Sequence, residues 1–582
     1  MKSLKFSNQN LIALIIFLLA LGLRLANLGR LPLSDNEAGL ALQALSLANG
    51  DNASLLSQPG YISLTSLLFF LFGASDFLAR LVPAVSGSLM TLVPQLFRRQ
   101  MGGRASLLLA LFLAVDPGLL AFSRTADGTT LSLTFSLLAV GFLLNGFRVL
   151  GGVCAGLTLL GGPLLWPGIL SGGVAAWISR AAFAGNATTT SSREQTPGST
   201  STPQKPFAGR WGYFWLALAL TAGIIATRFF LNPRGLNAIA NSLVEYLQSW
   251  GGGVKIPAIQ SLLLFIVYEP FFLVLALIGG VKAWLSHDLL DQFFIRWMAL
   301  AVLLSILNPG QTFSTSACVL APMLALAARQ VDSMLRGKFA FTPQAGAQAF
   351  VTFALVVFLT MTVLSIFNGF NSPEDSRLRI IAAAGSFAIL LLTTYLLGSG
   401  WGWASTAAGL RTAVMGLLAL SVFSAGWNAA GLGRHPDREM WRIGRTVISK
   451  DLLTTTVADI SEYNTGRRDT LDITIAGLDS PALSWALRDF RNTSTIRDVV
   501  SEDTSSIILT PADKLPPLGD RYRGQKIIWD SQPAWNLMNP QEWPAWLFFR
   551  RAPLDSTSIM IWVRSDLFPG AVFTEMPADE FS

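Results

Sequence analysis

Four residues in two short stretches have the types and spacing for acid–base chemistry beside an anion. Asp35 and Glu37 lie in LPLSDNEAGLALQALSLANG, residues 31–50, directly after the first apolar segment, and Arg124 and Asp127 lie in SRTADG, residues 123–128. A carboxylate held at a reacting hydroxyl can take its proton. A guanidinium offers a planar fork of donors that matches phosphate oxygens. The same residues also have an architectural reading. Ser34-x-x-Glu37 is a capping box, Asp35 suits the positive end of a helix, and Asp127-Gly128-Thr129-Thr130 can cap the apolar run that follows. The two readings are compatible, because a capped helix end is a rigid place to hold a carboxylate.

The elements that must position these groups are membrane spans. The 582 residues are 52% hydrophobic and only 13% charged, with a mean hydropathy of +0.49, which is too apolar for a soluble chain of this length. The net charge of +7 is scattered between apolar runs, without a basic tract or an aromatic-interleaved patch, so nucleic acid is not an expected partner. Cys154 and Cys318 both fall in apolar segments, which argues against a disulfide framework. Two histidines cannot build a histidine-rich metal site; carboxylates could hold Mg²⁺ or Mn²⁺, but no spacing calls for it, and no cofactor is expected.

Hydropathy predicts about thirteen transmembrane helices within residues 1–427. Lys2 and Lys5 precede a first, uncleaved span at 10–28, which places the N-terminus in the cytoplasm and the first loop, 29–78, outside. From Ala38 this loop is rich in helix formers, predicting a short helix lying in the membrane surface, with Gly39, Gln43, Ser46 and Gly50 as its small and polar stripe. Tyr61–Ala74 is only fourteen residues long and is read as re-entrant or surface-lying; if it does not cross, Arg98, Arg99 and Arg104 fall in the cytoplasm. Residues 180–210 read as a disordered cytoplasmic linker, and 232–258 as a second large outside loop with a helix and a mobile Gly run. Arg228 and Lys255 flank that loop as further phosphate-binding candidates. Tyr268 and Glu269 are candidates for the substrate pocket: Glu269 is a carboxylate in an apolar stretch, followed by Pro270, which should break or kink the helix. Alternatively residues 257–268 lie on the surface and Glu269 marks the entry of a shorter span.

Residues 428–582 have the composition of a soluble domain. Short apolar runs at Leu471–Ile475, Ile507–Leu509, Lys526–Trp529 and Ile559–Val563, alternating with helical stretches, predict a small extracytoplasmic α/β domain. Trp543, Trp546, Phe548 and Phe549 before Arg550 and Arg551 are read either as a core helix or as a patch that docks on the bilayer.

The order of these features resembles membrane glycosyltransferases of the GT-C fold. It comprises the acidic first loop, then Gly73-x-Ser75-x-Phe77-x-x-Arg80, then Ser123-Arg124-x-x-Asp127, and is closest to the protein O-mannosyltransferase and aminoarabinose transferase type. Ser484-Trp485-Ala486-Leu487-Arg488-Asp489-Phe490 further resembles the group associated with flippase activity in archaeal N-glycosylation. The resemblance implies a plasma-membrane enzyme that transfers a sugar, with inversion, from a polyprenyl-phosphate donor to a hydroxyl or amine of a protein, lipid or glycan at the outer face. It implies a first-loop acid as base and Asp127 as its partner. The chain departs from the pattern twice: the usual Asp-Glu pair aligns with Asn36-Glu37, and the Lys or His with paired prolines before the surface segment is here Gln58-Pro59-Gly60. These departures leave Asp35 or Glu37 as the base. They also keep two other classes in view, a lipid-linked sugar transporter or flippase and a catalytically silent subunit of an envelope assembly.

Overall fold

A computed structural model describes residues 8–51, 58–180, 208–228, 235–254, 256–336, 342–367, 373–442, 444–499, 505–518, 521–539 and 542–568. Lys255 and most of the expected linker at 180–210 lie outside the described residues. The chain forms two compact units. The first comprises residues 1–30, 43–442 and 538–552; the second comprises 31–42, 443–537 and 553–582.

The first unit is helical. Seven of its helices are long and apolar enough to cross a membrane, among them α1 (Asn8–Leu25) and the segment Asp76–Leu96. An eighth crossing is the pair Ala258–Tyr268 and Pro270–Ser286, bent by 97° at Glu269, where Pro270 has no N–H to continue the ladder. Five further apolar helices, including Gly103–Val115 and Thr129–Leu144, are shorter than a full span. Length and composition therefore license up to eight crossings among the described residues, and the expected thirteen is not confirmed. Large apolar side chains such as Phe350 and Trp284 are left mostly exposed, as suits helices that face a bilayer.

The motif residues have clear local work in this unit. Helix α2 (Asp35–Ala48) is followed by α3 (Pro59–Phe72), whose fourteen residues rise about 21 Å, short of the roughly 30 Å hydrocarbon core. Its end carries exposed Leu67, Phe70, Leu71 and Phe72. Gly73, at φ +83°, ends it in a conformation that costs a side chain dearly. Ser75 then caps α4 (Asp76–Leu89), its hydroxyl accepting from the Leu78 N–H at 3.2 Å. The helix Glu542–Phe549 belongs to this unit. Its Trp546 is fully buried and donates to the Arg438 carbonyl at 3.1 Å, as a core helix requires, while Phe548 is half exposed.

The second unit is built on a six-stranded mixed sheet. Strands β1 (Thr446–Val447), β2 (Ile473–Ala476), β3 (Thr493–Ile496), β4 (Ile507–Pro511), β5 (Tyr522–Pro533) and β6 (Leu554–Arg564) are ordered β1-β5-β6-β4-β2-β3. β2 runs parallel to β3 and β4, and the other pairs are antiparallel. The four apolar runs of the sequence supply the inner strands β2, β4, β5 and β6; the edges β1 and β3 are short or half polar. Central β2 and β4 are buried nearly throughout, as strands covered on both faces must be. Helix Lys450–Thr465 ends on Gly466 at φ +72°.

Candidate functional site

In the first unit, three arginines from separate elements converge on the end of α1. Arg124 donates through Nη1 to the carbonyls of Leu23, Arg24 and Ala26 at 3.2, 2.8 and 2.7 Å. Arg80 of α4, itself buried, donates to the Leu28 carbonyl at 3.2 Å. Arg24 lies within α1, fully buried, and reaches the carbonyls of Ala20, Leu113 and Ala114. The last carbonyls of a helix lack intrahelical partners and carry the negative end of its dipole, so cations gather there. Arg124 is half-buried, and burial, with the like charges of Arg80 and Arg442, pulls its guanidinium down to about 10. Among the described residues its Nε and Nη2 donate no hydrogen bond. The cluster is thus a concentration of positive charge.

Asp127 follows directly. Its carboxylate accepts from the Thr129 N–H at 2.9 Å and the Thr129 hydroxyl at 3.0 Å, holding the start of Thr129–Leu144. The next residue, Gly128, donates to Gln58 Oε1 at 2.7 Å, and a Cβ there would meet the Gly161 carbonyl at 2.4 Å, so the loop is tightly seated. Gln58, which stands where the related pattern has a basic residue, is therefore brought to the Asp127 loop. Arg228, half-buried at φ +48°, donates to the Leu47 carbonyl at 2.6 Å, again closing a helix end.

Tyr268 and Glu269 are fully buried. The Tyr268 hydroxyl donates to Glu439 Oε2 at 2.6 Å and accepts from the Met440 N–H, while Arg550 holds Glu439 Oε1 at 2.7 Å. Burial alone would lower the Arg550 guanidinium, and Glu439 with Tyr268 holds it above its ordinary value. Glu269 Oε1 accepts from the Gly118 N–H at 3.3 Å, and Asp116, also fully buried, caps the helix Pro117–Phe122 through Leu119. A small polar cavity lies elsewhere in this unit, lined by Tyr246, Ser305, Asn308, Gln311 and Thr315 among others, and by none of the eight candidate residues.

In the second unit, Asp35 and Glu37 open α2 and are both engaged. Glu37 is buried and accepts from the N–H and hydroxyl of Ser34 at 3.0 and 3.1 Å, the return half of a capping box. Asp35 Oδ1 accepts from the Ser480 hydroxyl at 2.6 Å and from the Ala482 N–H at 3.0 Å. Between them Asn36 is exposed. Helix α2 begins at Asp35, three residues before the run of helix formers, because the cap makes its first turn.

Sequence reasoning did not single out Arg24, Asp116 or Glu439, and named Arg550 only as a flank of the aromatic stretch before it. An arginine inside an apolar span and Asp116-Pro117 in the middle of another are signals that could have found the first two. For Glu439 and Arg550 no local signal exists. Among the described residues no group of three or more His, Cys, Asp or Glu is placed to hold a metal ion.

No family model matches the chain, and no curated protein matches it. Its structure is similar to that of ArnT from Cupriavidus metallidurans bound to undecaprenyl phosphate, with a TM-score of 0.53 and 14% identity over 95% of this chain and 98% of that one. The same values hold for the apo state of that protein. An oligosaccharyltransferase from Archaeoglobus fulgidus, tethered with an acceptor peptide, is matched at a TM-score of 0.39 and 13% identity over 84% of this chain and 64% of that one. At such identity the likeness to ArnT is one of fold, and the fold is that of GT-C membrane transferases.

Proposed function

We propose that this chain is a membrane glycosyltransferase that takes a sugar from a polyprenyl-phosphate donor and passes it, with inversion, to an acceptor hydroxyl or amine at the outer face of the plasma membrane. The observation that carries the reading is the gathering of Arg24, Arg80 and Arg124 at the end of α1, in a chain that has the fold of ArnT along nearly its whole length. A crystal structure of ArnT holds undecaprenyl phosphate, and a phosphate monoester is the ligand that a partly engaged arginine fork fits.

In the proposed reaction a first-loop carboxylate, Asp35 or Glu37, takes the acceptor proton as the new bond forms at the anomeric carbon. The bond from that carbon to the phosphate oxygen breaks, and the polyprenyl phosphate leaves with its charge balanced by Arg124, assisted by Arg228 and Lys255. Asp127 holds the second loop in place, and Tyr268 and Glu269 shape the wall of the pocket. A monophosphate leaving group paired with arginine needs no metal, so none is invoked. The cytoplasmic N-terminus, the 1–427 membrane domain and the extracytoplasmic 428–582 domain belong to the same proposal.

One observation favours a second reading, the catalytically silent subunit. Asp35, Glu37 and Asp127 all make architectural hydrogen bonds, and the residue exposed between the first two is Asn36. The test is native mass spectrometry of the full chain in nanodiscs with undecaprenyl phosphate and its sugar esters, with release of free sugar followed over hours. Binding with slow release is the expected result. Binding without release favours the silent subunit, and binding no stronger than that of phosphatidylglycerol overturns both.

A further inference from the structure

We infer that Asp35 is a positioning residue, a tertiary anchor that fastens the first acidic loop to the C-terminal sheet unit through the carbonyl-like face of its carboxyl group. Residues 31–42 belong to the same compact unit as the sheet, although the strands begin some 400 residues later in the chain. Asp35 supplies two of the bonds that make this so. Asp35 Oδ1 takes the Ser480 hydroxyl at 2.6 Å and the Ala482 N–H at 3.0 Å. Ser480 Oγ in turn accepts from Leu483 N at 3.3 Å and from the indole N–H of Trp529 at 3.4 Å, so its one donor and its acceptor capacity are all in use. Trp529 is buried in β5, which ties the chain of bonds to the sheet.

Packing around the anchor is close. Gly39 faces the Pro481 ring, with the position of a Cβ 3.8 Å from it, and Gly444, at φ +88°, lies against Ser34 and Asn36. Leu33, Ser34, Ala38 and Ala41 are at most 1% exposed, so the loop's inner face is fully covered. Two donors converging on one oxygen ask for an acceptor and not for a charge. The Oδ1 of an asparagine presents the same acceptor in the same place, whereas a general base must give up its role when the carboxylate becomes an amide. Glu37 accepts from the N–H and hydroxyl of Ser34, three residues away. Resting on the proposed transferase reading, sugar release is a second readout of whether the anchored loop is correctly placed.

The experiment compares Asp35→Asn, Asp35→Ala, Ser480→Ala and the double variant Asp35→Ala with Ser480→Ala in the full chain in nanodiscs. It reads hydrogen–deuterium exchange over residues 31–42 together with sugar release from undecaprenyl-phosphate sugars. Asp35→Asn should keep wild-type exchange within about threefold, because its amide oxygen replaces the same acceptor. Asp35→Ala should exchange at least about tenfold faster and lose turnover, Ser480→Ala should move the same way, and the double variant should be no worse than Asp35→Ala. Exchange unchanged in Asp35→Ala overturns the anchor. Exchange raised as far in Asp35→Asn as in Asp35→Ala also overturns it, because an amide oxygen then fails to replace the carboxylate acceptor. If the wild type releases no sugar, the transferase reading fails and the anchor stands or falls on exchange alone.

Discussion

Arg124→Ala separates the carbonyl bonds that the structure gives this side chain from the phosphate contact proposed for it. Its Nη1 group donates to three carbonyls at the end of α1, at 2.7 to 3.2 Å, while Nε and Nη2 donate no hydrogen bond among the described residues. Hydrogen bonds to charged groups contribute about 1.5–3 kcal/mol each. Three acceptors share the two hydrogens of one nitrogen, and removing the charge relieves repulsion from Arg80 and Arg442, so a net loss of about 1–3 kcal/mol in stability is expected. Removing one partner of a phosphate–guanidinium pair costs about 2–5 kcal/mol, or about 30-fold to 4,000-fold in Kd. Because Arg124 is half-buried and Arg80 lies within electrostatic reach, the effect should fall toward the lower end, about 30- to 100-fold. Arg124→Lys keeps the charge but has one compact head group, so it should recover most of the stability and only part of the affinity. The assay is native mass spectrometry titration with undecaprenyl phosphate, paired with thermal unfolding in the presence and absence of the lipid. If Arg124→Ala lowers the unfolding temperature of the lipid-free protein while the lipid-induced rise is unchanged, Arg124 only staples α1. The phosphate assignment is then refuted.

Three further outcomes are expected. Glu439→Gln strips the charge that Arg550 and Tyr268 share in a buried cluster, and should destabilise the first unit by about 3–5 kcal/mol, whereas Glu439→Leu with Arg550→Met should recover most of it; thermal shift of the two variants measures this. Gly128→Ala places a Cβ 2.4 Å from the Gly161 carbonyl and should sharply reduce the yield of monodisperse protein on gel filtration. In the second unit, hydrogen bonds from Arg445 and Gln532 hold the Asp555 carboxyl below its ordinary value. A lowered folded-state value means that this contribution to stability is present above the ordinary carboxylate range and lost as pH falls through the lowered value. The destabilisation caused by Arg445→Leu should accordingly shrink as thermal unfolding is measured from pH 7 down to about pH 3.

Much of the architecture was legible because it depends on residues close together in the chain. Apolar runs long enough to span a bilayer mark the long helices, Pro270 marks the sharp bend, and fourteen residues are too few for α3 to cross. Four apolar runs supply the inner strands of the sheet. Edge strands β1 and β3 escaped that reading, since two residues of Thr446–Val447 and the polar TSTI of β3 become strands only by pairing with neighbours. The cap at Ser34 and Glu37, the cap at Ser75 and the turn at Asp127 follow from spacings of two or three residues, and the sequence by itself determined them. Tertiary structure alone decided which carbonyls receive the arginines and which donors receive Asp35. Arg124 meets Arg24 across 100 residues of chain, Tyr268 meets Glu439 across 171, and Asp35 meets Ser480 across 445. A local pattern states what each of these side chains can bond. Only the folded chain states what it does bond, because the partner of a polar group in a packed interior is set by every element that comes to rest beside it.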